Sequence, residues 1–246
     1  MLAAAGCVER PQPLRLACLR ARVGVDEAGR GCVVGPLFVA AAAFTDEALA
    51  RLRAAGVRDS KALTRRRREE LEPLIRAEAL ALSVRRVEPQ VIDQRNLNEA
   101  ELEAIAAALS EVRDRLQGLS VEVGSVAVDL FGRREELSSL IGAVFPGAEA
   151  RLLHGADALL AECSAASIIA KVERDRHLDQ LKEAYGVLGS GYPSDPETRR
   201  WLASIASLSE PPPCLRRSWR TLLKYAPRLH VGKRRLKASK APKSGT

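Results

Sequence analysis

The chain opens its patterned part with a short apolar alternation, Val23 and Val25, that runs into two adjacent acids, Asp26 and Glu27. A glycine-rich turn, Ala28-Gly29-Arg30-Gly31, follows, and then an apolar and small-residue run from Cys32 to Phe44. Two strands joined by a tight turn are expected. The second run is apolar enough for a central strand covered on both faces. Helical periodicity then takes over: Thr45 is placed to cap a helix over 46–54, and Thr64 to cap one in which Leu71, Leu74 and Ile75 share a face. Further strands are predicted over 80–87, 121–129 and 148–153, the last at an edge. Helices are predicted over 98–116 (Asn98 as cap, Glu101 in the capping-box position), 133–141, 158–185 and 196–208, with Asp195 as cap and Pro196 in its first turn. Residues 217–223 read as a last helix or an extended arm.

The early strands lack long crossovers and imply an antiparallel meander. The later strands follow helices and imply parallel additions. The expected fold class is therefore α/β, a mixed five-stranded sheet flanked by helices, with a helical C-terminal portion. The expected organisation is an N-terminal extension over 1–20, a core over 21–185, a C-terminal helical portion over 186–229 and a basic, disordered tail over 230–246.

Charge sharpens this division. The 246 residues carry a net charge of +8, yet from Pro211 onward there are eleven Lys or Arg and no acid. Without that stretch, 28 basic residues face 31 acidic ones. The basicity is a C-terminal property and suits a polyanion, of which nucleic acid is the commonest. The five cysteines are odd in number and contain no CxxC pair, so a reducing, cytoplasmic setting is expected rather than a disulfide framework. No apolar run approaches the roughly 20 residues of a membrane span. His154, His177 and His230 lack H-x-x-x-H spacing, which disfavours zinc hydrolase chemistry.

Four carboxylates stand out. Asp26 and Asp129 each end an apolar run, Glu27 adjoins the first, and Asp157 begins a helix, where capping alone is an alternative explanation for it. Converging acids repel one another, and a hard divalent cation removes that cost; all-oxygen ligands select Mg²⁺ or Mn²⁺. Side chains alternate along a strand, so Glu27 must reach a point shared with Asp26 through a bend or from the flank. Arg30 either clamps a phosphate or braces the turn.

The motifs GVDEAGRG, VGP, RDSKAL, VAVD, GADALLAECSAASIIAKVERDR and GSGYPSDP, in this order, resemble the ribonuclease HII (type 2 ribonuclease H) family over about residues 21–225. GSGYPSDP and CLRRSWRTL are closer to the archaeal and eukaryotic-like form. The resemblance implies a ribonuclease H-like fold and an endonuclease that hydrolyses the RNA strand of RNA–DNA hybrids. It implies cutting 5′ of ribonucleotides embedded in duplex DNA, with two Mg²⁺ or Mn²⁺ ions in the substrate complex and 5′-phosphate and 3′-hydroxyl products.

By the same resemblance, Asp26, Glu27, Asp129 and Asp157 are the catalytic and metal-binding acids. Gly29, Arg30 and Gly31 contact 2′-hydroxyls, and Tyr192 packs beside the deoxyribose on the 3′ side of the last ribonucleotide. Ser60 and Lys61 approach the backbone, and Lys171 lies near the site or the phosphates. Cys32, Ala62 and Gly155 depart from the family's usual proline, lysine and lysine. A monomer is expected, with a replication sliding-clamp contact through the C-terminal region. Two other classes fit less well: a non-catalytic nucleic-acid-binding or assembly paralogue, and a structure-selective DNA nuclease on the same fold.

Overall fold

The structure is a computed structural model that describes residues 19–58, 62–130 and 132–232. The predicted Ser60 and Lys61 lie outside the described residues, as do nearly all of the N-terminal extension and the tail beyond Gly232. Five strands form one sheet in the order β3-β2-β1-β4-β5. These are β1 (Arg20–Ala28), β2 (Leu37–Phe44), β3 (Ala81–Val87), β4 (Glu122–Asp129) and β5 (Glu149–Leu153). β1, β2 and β3 run antiparallel, and β4 and β5 add in parallel beyond β1. The mixed sheet expected from the sequence is thus present, with β1 at its centre.

β2 is buried at all eight positions, as its apolar run requires. It begins later than predicted, at Leu37 rather than near Cys32. Residues 33–35 are instead held by other partners: Val33 N–H donates to Gly191 O (2.9 Å), Gly35 N–H to Cys214 O (2.7 Å), and Val34 bridges Leu215.

Alternation along β1 divides the core. Val23 and Val25 face α4 (Leu97–Gly118) and α5 (Arg134–Val144), where Ile105, Leu109, Val112 and Ile141 complete one cluster. Ala28, with Ala40, Ala42 and Phe44 of β2, faces α1 (Asp46–Ala54), α2 (Arg65–Glu78) and α7 (Ala161–Tyr185). Gly24 and Asp26 lie on that second face by the two-residue period. There α7 presses against the sheet so closely that a Cβ on Gly24 would lie 2.6 Å from Cys163 N. A third cluster joins α7 to the C-terminal portion: α8 (Pro196–Ser204), α9 (Leu222–Tyr225) and a 3₁₀ turn at Pro227–Leu229 pack Trp201, Leu202 and Leu222 against Val33, Val34 and Leu181.

The caps at Thr45, Thr64 and Asp195 form as expected, accepting from Ala48 N (3.1 Å), Arg67 N (3.2 Å) and Glu197 N (2.9 Å). Other boundaries differ. A short helix, α3 (Pro89–Gln94), precedes α4, whose cap is Asn96 rather than Asn98. Asn98 and Glu101 are drawn away by Arg30: its Nη2 donates to Asn98 Oδ1 (2.5 Å) and it pairs with the buried Glu101 carboxylate. The helix predicted over 158–185 is broken at Leu160 into α6 (Ala156–Leu159) and α7. Where a last helix or an extended arm was expected over 217–223, only α9 (Leu222–Tyr225) is helical, and residues 213–218 form turns around the bridge of Leu215 to Val34.

Candidate active site

β1 and β4 are neighbouring parallel strands in the register Val25↔Val128. The next residue on each strand is Asp26 and Asp129, so the sheet brings two distant acids together at one carboxyl edge. Asp129 Oδ1 accepts N–H bonds from Gly155 (2.7 Å) and Ala156 (3.2 Å), so β4 supplies the cap that α6 lacks of its own. Asp157 follows within that first turn and is 1% exposed. Its Oδ2 lies 3.8 Å from Lys171 Nζ, which gives it a charged partner on α7.

Lys171 belongs to a stripe on α7, Cys163, Ser167, Lys171 and Arg174, spaced at helical intervals toward the sheet edge. Lys171 Nζ donates to Ser167 Oγ (2.5 Å), and the Ser167 hydroxyl bonds the Asp26 carboxylate. The ammonium thus links Asp157 to Asp26. Glu27 approaches from the flank, on the α4 side of β1; its own N–H donates to Asp26 Oδ1 (2.8 Å). Burial and the Glu27 charge raise the Asp26 pKa well above the ordinary carboxylate range. Burial and the Asp129 charge raise that of Glu27, while Arg30 pulls it back. These are groups held ready for a cation.

Asp26, Glu27 and Asp129 open into a cleft of about 340 Å³, also lined by Gly29, Arg30, Gly31, Arg68, Lys171, Arg174, Asp175 and Tyr192, with Asp157 buried behind it. Gly29 has φ +86°, a conformation that favours glycine, and a Cβ there would meet Pro36 O at 3.1 Å. Arg30, at the cleft wall, also reaches Asn98 and Glu101 and so braces the turn.

Tyr192 is 38% exposed across the cleft, its ring 3.7 Å from where a Gly31 Cβ would stand. The Arg174 guanidinium lies 5.2 Å from the ring centroid, donates to Ser190 O, and reaches Cys32 Sγ at 3.3 Å. Burial and Cys32 push the Tyr192 phenol up to about 12, so it remains a neutral donor. A wider cavity of about 530 Å³ beside Gln90, Asp93 and Arg217 carries a single acid and is not the place for this chemistry.

Ribonuclease HII is the family whose profile matches residues 23–222, the span that carries every residue just described. The chain belongs to the ribonuclease HII family. It is 43% identical over 213 residues to a ribonuclease HII of Saccharolobus solfataricus, covering 86% of this chain and 97% of the relative. The crystal structure of ribonuclease H2 from Pyrococcus horikoshii matches with a TM-score of 0.75 at 40% identity, over 85% of this chain and 98% of that one. A ribonuclease HII of Archaeoglobus fulgidus, solved in complex with PCNA, matches with a TM-score of 0.68 at 38% identity, over 82% and 94%. The fold is accordingly that of the ribonuclease H-like α/β proteins, and the similarity is to archaeal homologues, in agreement with GSGYPSDP and CLRRSWRTL.

Family membership supports a nuclease of ribonuclease HII type. Among the described residues no three acidic, histidine or cysteine side chains stand close enough to hold a metal ion together. The donor chemistry nonetheless suits a hard dication, because the acids at the edge offer only oxygen ligands, while Lys171 offsets part of their mutual repulsion in the protein alone. Sequence reasoning passed over Ser167, Arg174 and Arg216. The first two lie in the same helical stripe as Lys171, a spacing visible in SAASIIAKVERD. Arg216 lies within CLRRSWRTL, where nothing local marks it as buried.

Proposed function

We propose that the protein is an endonuclease that hydrolyses the RNA strand of RNA–DNA hybrids and cuts 5′ of ribonucleotides embedded in duplex DNA. One juxtaposition carries the reading: Asp26 and Asp129, at the paired ends of β1 and β4, share a cleft with the Gly29-Arg30-Gly31 turn and Tyr192. The first pair suits phosphoryl chemistry, and the second pair suits a sugar. A 2′-hydroxyl distinguishes RNA from DNA at one nucleotide, and a glycine turn meets it with main-chain groups free of side-chain bulk.

Asp26, Glu27, Asp129 and Asp157 are the residues that would hold Mg²⁺ or Mn²⁺, two ions in the substrate complex. When bound, such ions supply water activation and charge neutralisation around phosphorus. The chain's own side chains do the rest. Lys171, Arg68 and Arg174 make the cleft attractive to a phosphate despite its acids. Ser167 and Lys171 orient the Asp26 carboxylate. Tyr192, wedged between Gly31 and Arg174, offers a flat face to the deoxyribose beyond the last ribonucleotide. The products carry 5′-phosphate and 3′-hydroxyl ends. Ser60 and Lys61 are proposed to approach the nucleic-acid backbone.

Residues 21–185 serve in this reading as the catalytic core and 186–229 as the substrate-binding portion of a monomer, with 1–20 and 230–246 as appendages. A sliding-clamp contact is proposed as well, through the C-terminal region; the Archaeoglobus fulgidus relative was solved in complex with PCNA. Incubation of the protein with duplex DNA carrying one ribonucleotide, in Mg²⁺, Mn²⁺ or chelator, tests the function. Metal-dependent cutting on the 5′ side of that nucleotide is expected. Cleavage of the all-DNA duplex at the same rate refutes the reading.

A further inference from the structure

The turn that faces the substrate has an unusual support on its inner side. Arg216 is wholly buried, yet its guanidinium donates to three main-chain carbonyls: Nη2 to Gly29 O (2.7 Å), Nη1 to Arg30 O (2.8 Å) and Nε to Gly35 O (2.7 Å). Trp219 covers it, with the guanidinium carbon 5.0 Å from the ring centroid, and the indole N–H points to Gly31 O at 3.4 Å. The Arg216 N–H donates to Val33 O (2.9 Å), so the segment is held to the turn by backbone as well. Burial lowers the Arg216 pKa to about 10, which still leaves it charged at neutral pH. A planar fork with five fixed donors meets carbonyls at both ends of the turn in a way the point charge of lysine does not.

We propose that Arg216 is a specificity-determining positioning residue: it fixes the carbonyls of the Gly29–Gly35 segment inward and thereby sets where the turn reads the 2′-hydroxyl. It touches neither the acids nor the cleft. Its loss acts on the choice of nucleotide more than on the hydrolytic groups of Asp26 and Asp129. The inference rests on the function proposed above.

The test compares the wild-type chain with Arg216→Lys, whose folding is checked by thermal melting. Two duplexes are used: one with a single embedded ribonucleotide and one with a run of four. On the first, a misplaced turn has no alternative hydroxyl to use; on the second it has neighbours. Cleavage of the single-ribonucleotide duplex should fall about a hundredfold, the order expected for a displacement near 1 Å. The run should lose roughly tenfold less and be cut at several positions rather than one.

A folded variant that loses the same factor on both duplexes and keeps the wild-type cut position overturns the inference, since that is what a structural role produces. If Arg216→Lys does not fold, Trp219→Leu, which uncovers the guanidinium without removing it, is scored by the same ratio and the same cut positions. A wild-type chain inactive on both duplexes refutes the function and this inference together. An active wild type with an unchanged ratio in the variant refutes this inference alone.

Discussion

Gly24 joins the fold to the site, and Gly24→Ala is the sharpest single perturbation of both. The new Cβ would stand 2.6 Å from Cys163 N and closer still to the Glu162 carbonyl, below the 3.0 Å that side-chain carbons in proteins respect. All the clashing atoms are main chain, at the start of α7, so no side chain can rotate aside. β1 and α7 must separate by on the order of 1 Å, and overpacking of this kind costs about 1–3 kcal/mol or more. Against a total stability of about 5–15 kcal/mol the protein should still fold at 25 °C.

Activity should suffer further. Gly24 lies two residues before Asp26 on the same face of β1, and α7 carries Ser167 and Lys171, which orient that carboxylate. Moving one relative to the other by this distance should reduce kcat about a hundredfold. Urea unfolding and cleavage of a single-ribonucleotide duplex measure the two effects. Gly142→Ala, on the exposed side of α5 with nothing within 4 Å of the new Cβ, is the control and should gain about 0.5–1 kcal/mol from helix propensity. Wild-type stability and turnover in Gly24→Ala would refute the close approach of α7 to β1 and the positioning argument built on it.

Further expectations concern the charges. Asp26→Asn should abolish cleavage while stabilising the metal-free protein. A carboxyl whose folded pKa lies above its unfolded value binds more protons when folded, so stability falls as pH rises from the unfolded pKa through the folded one. In chelator, the melting-temperature advantage of the variant should therefore grow from about pH 4 upward, and a gap that does not change with pH contradicts the assignment. Glu101→Ala leaves Arg30 without its buried carboxylate and should cost about 1–3 kcal/mol by urea titration. Tyr192→Ala should impair cutting at a single ribonucleotide more than cutting of a long hybrid; equal losses remove its junction role. Deleting the residues after Gly232 should flatten the dependence of log affinity on log salt by about 0.9 for each phosphate the tail had neutralised, measured by duplex-binding titration.

Much of this protein was legible in one dimension. The mixed character of the sheet was legible, because antiparallel neighbours and parallel additions leave different connections along the chain, but its order was not: β2 and β3 pair antiparallel with α1 and α2 between them. The caps at Thr45, Thr64 and Asp195 were legible because the interaction spans two or three residues. The motifs pointed to the family, and the acids were marked by ending apolar runs.

Meetings between distant segments were not legible. Asn98 and Glu101 carry the residue types of a capping box, yet both turn to Arg30, 68 and 71 positions earlier in the chain, because the buried Glu101 carboxylate demands a partner more strongly than a helix end exposed to water. Asp129 caps α6 from another strand, which no local pattern encodes. Arg216 sits among surface-type charges in the sequence and becomes a fully buried residue only when the C-terminal segment lies along the turn. The sequence by itself determined which elements form and which residues are chemically able to act. The tertiary structure alone decided which of them meet, because burial and polar satisfaction are properties of packed neighbours and not of spacing along the chain.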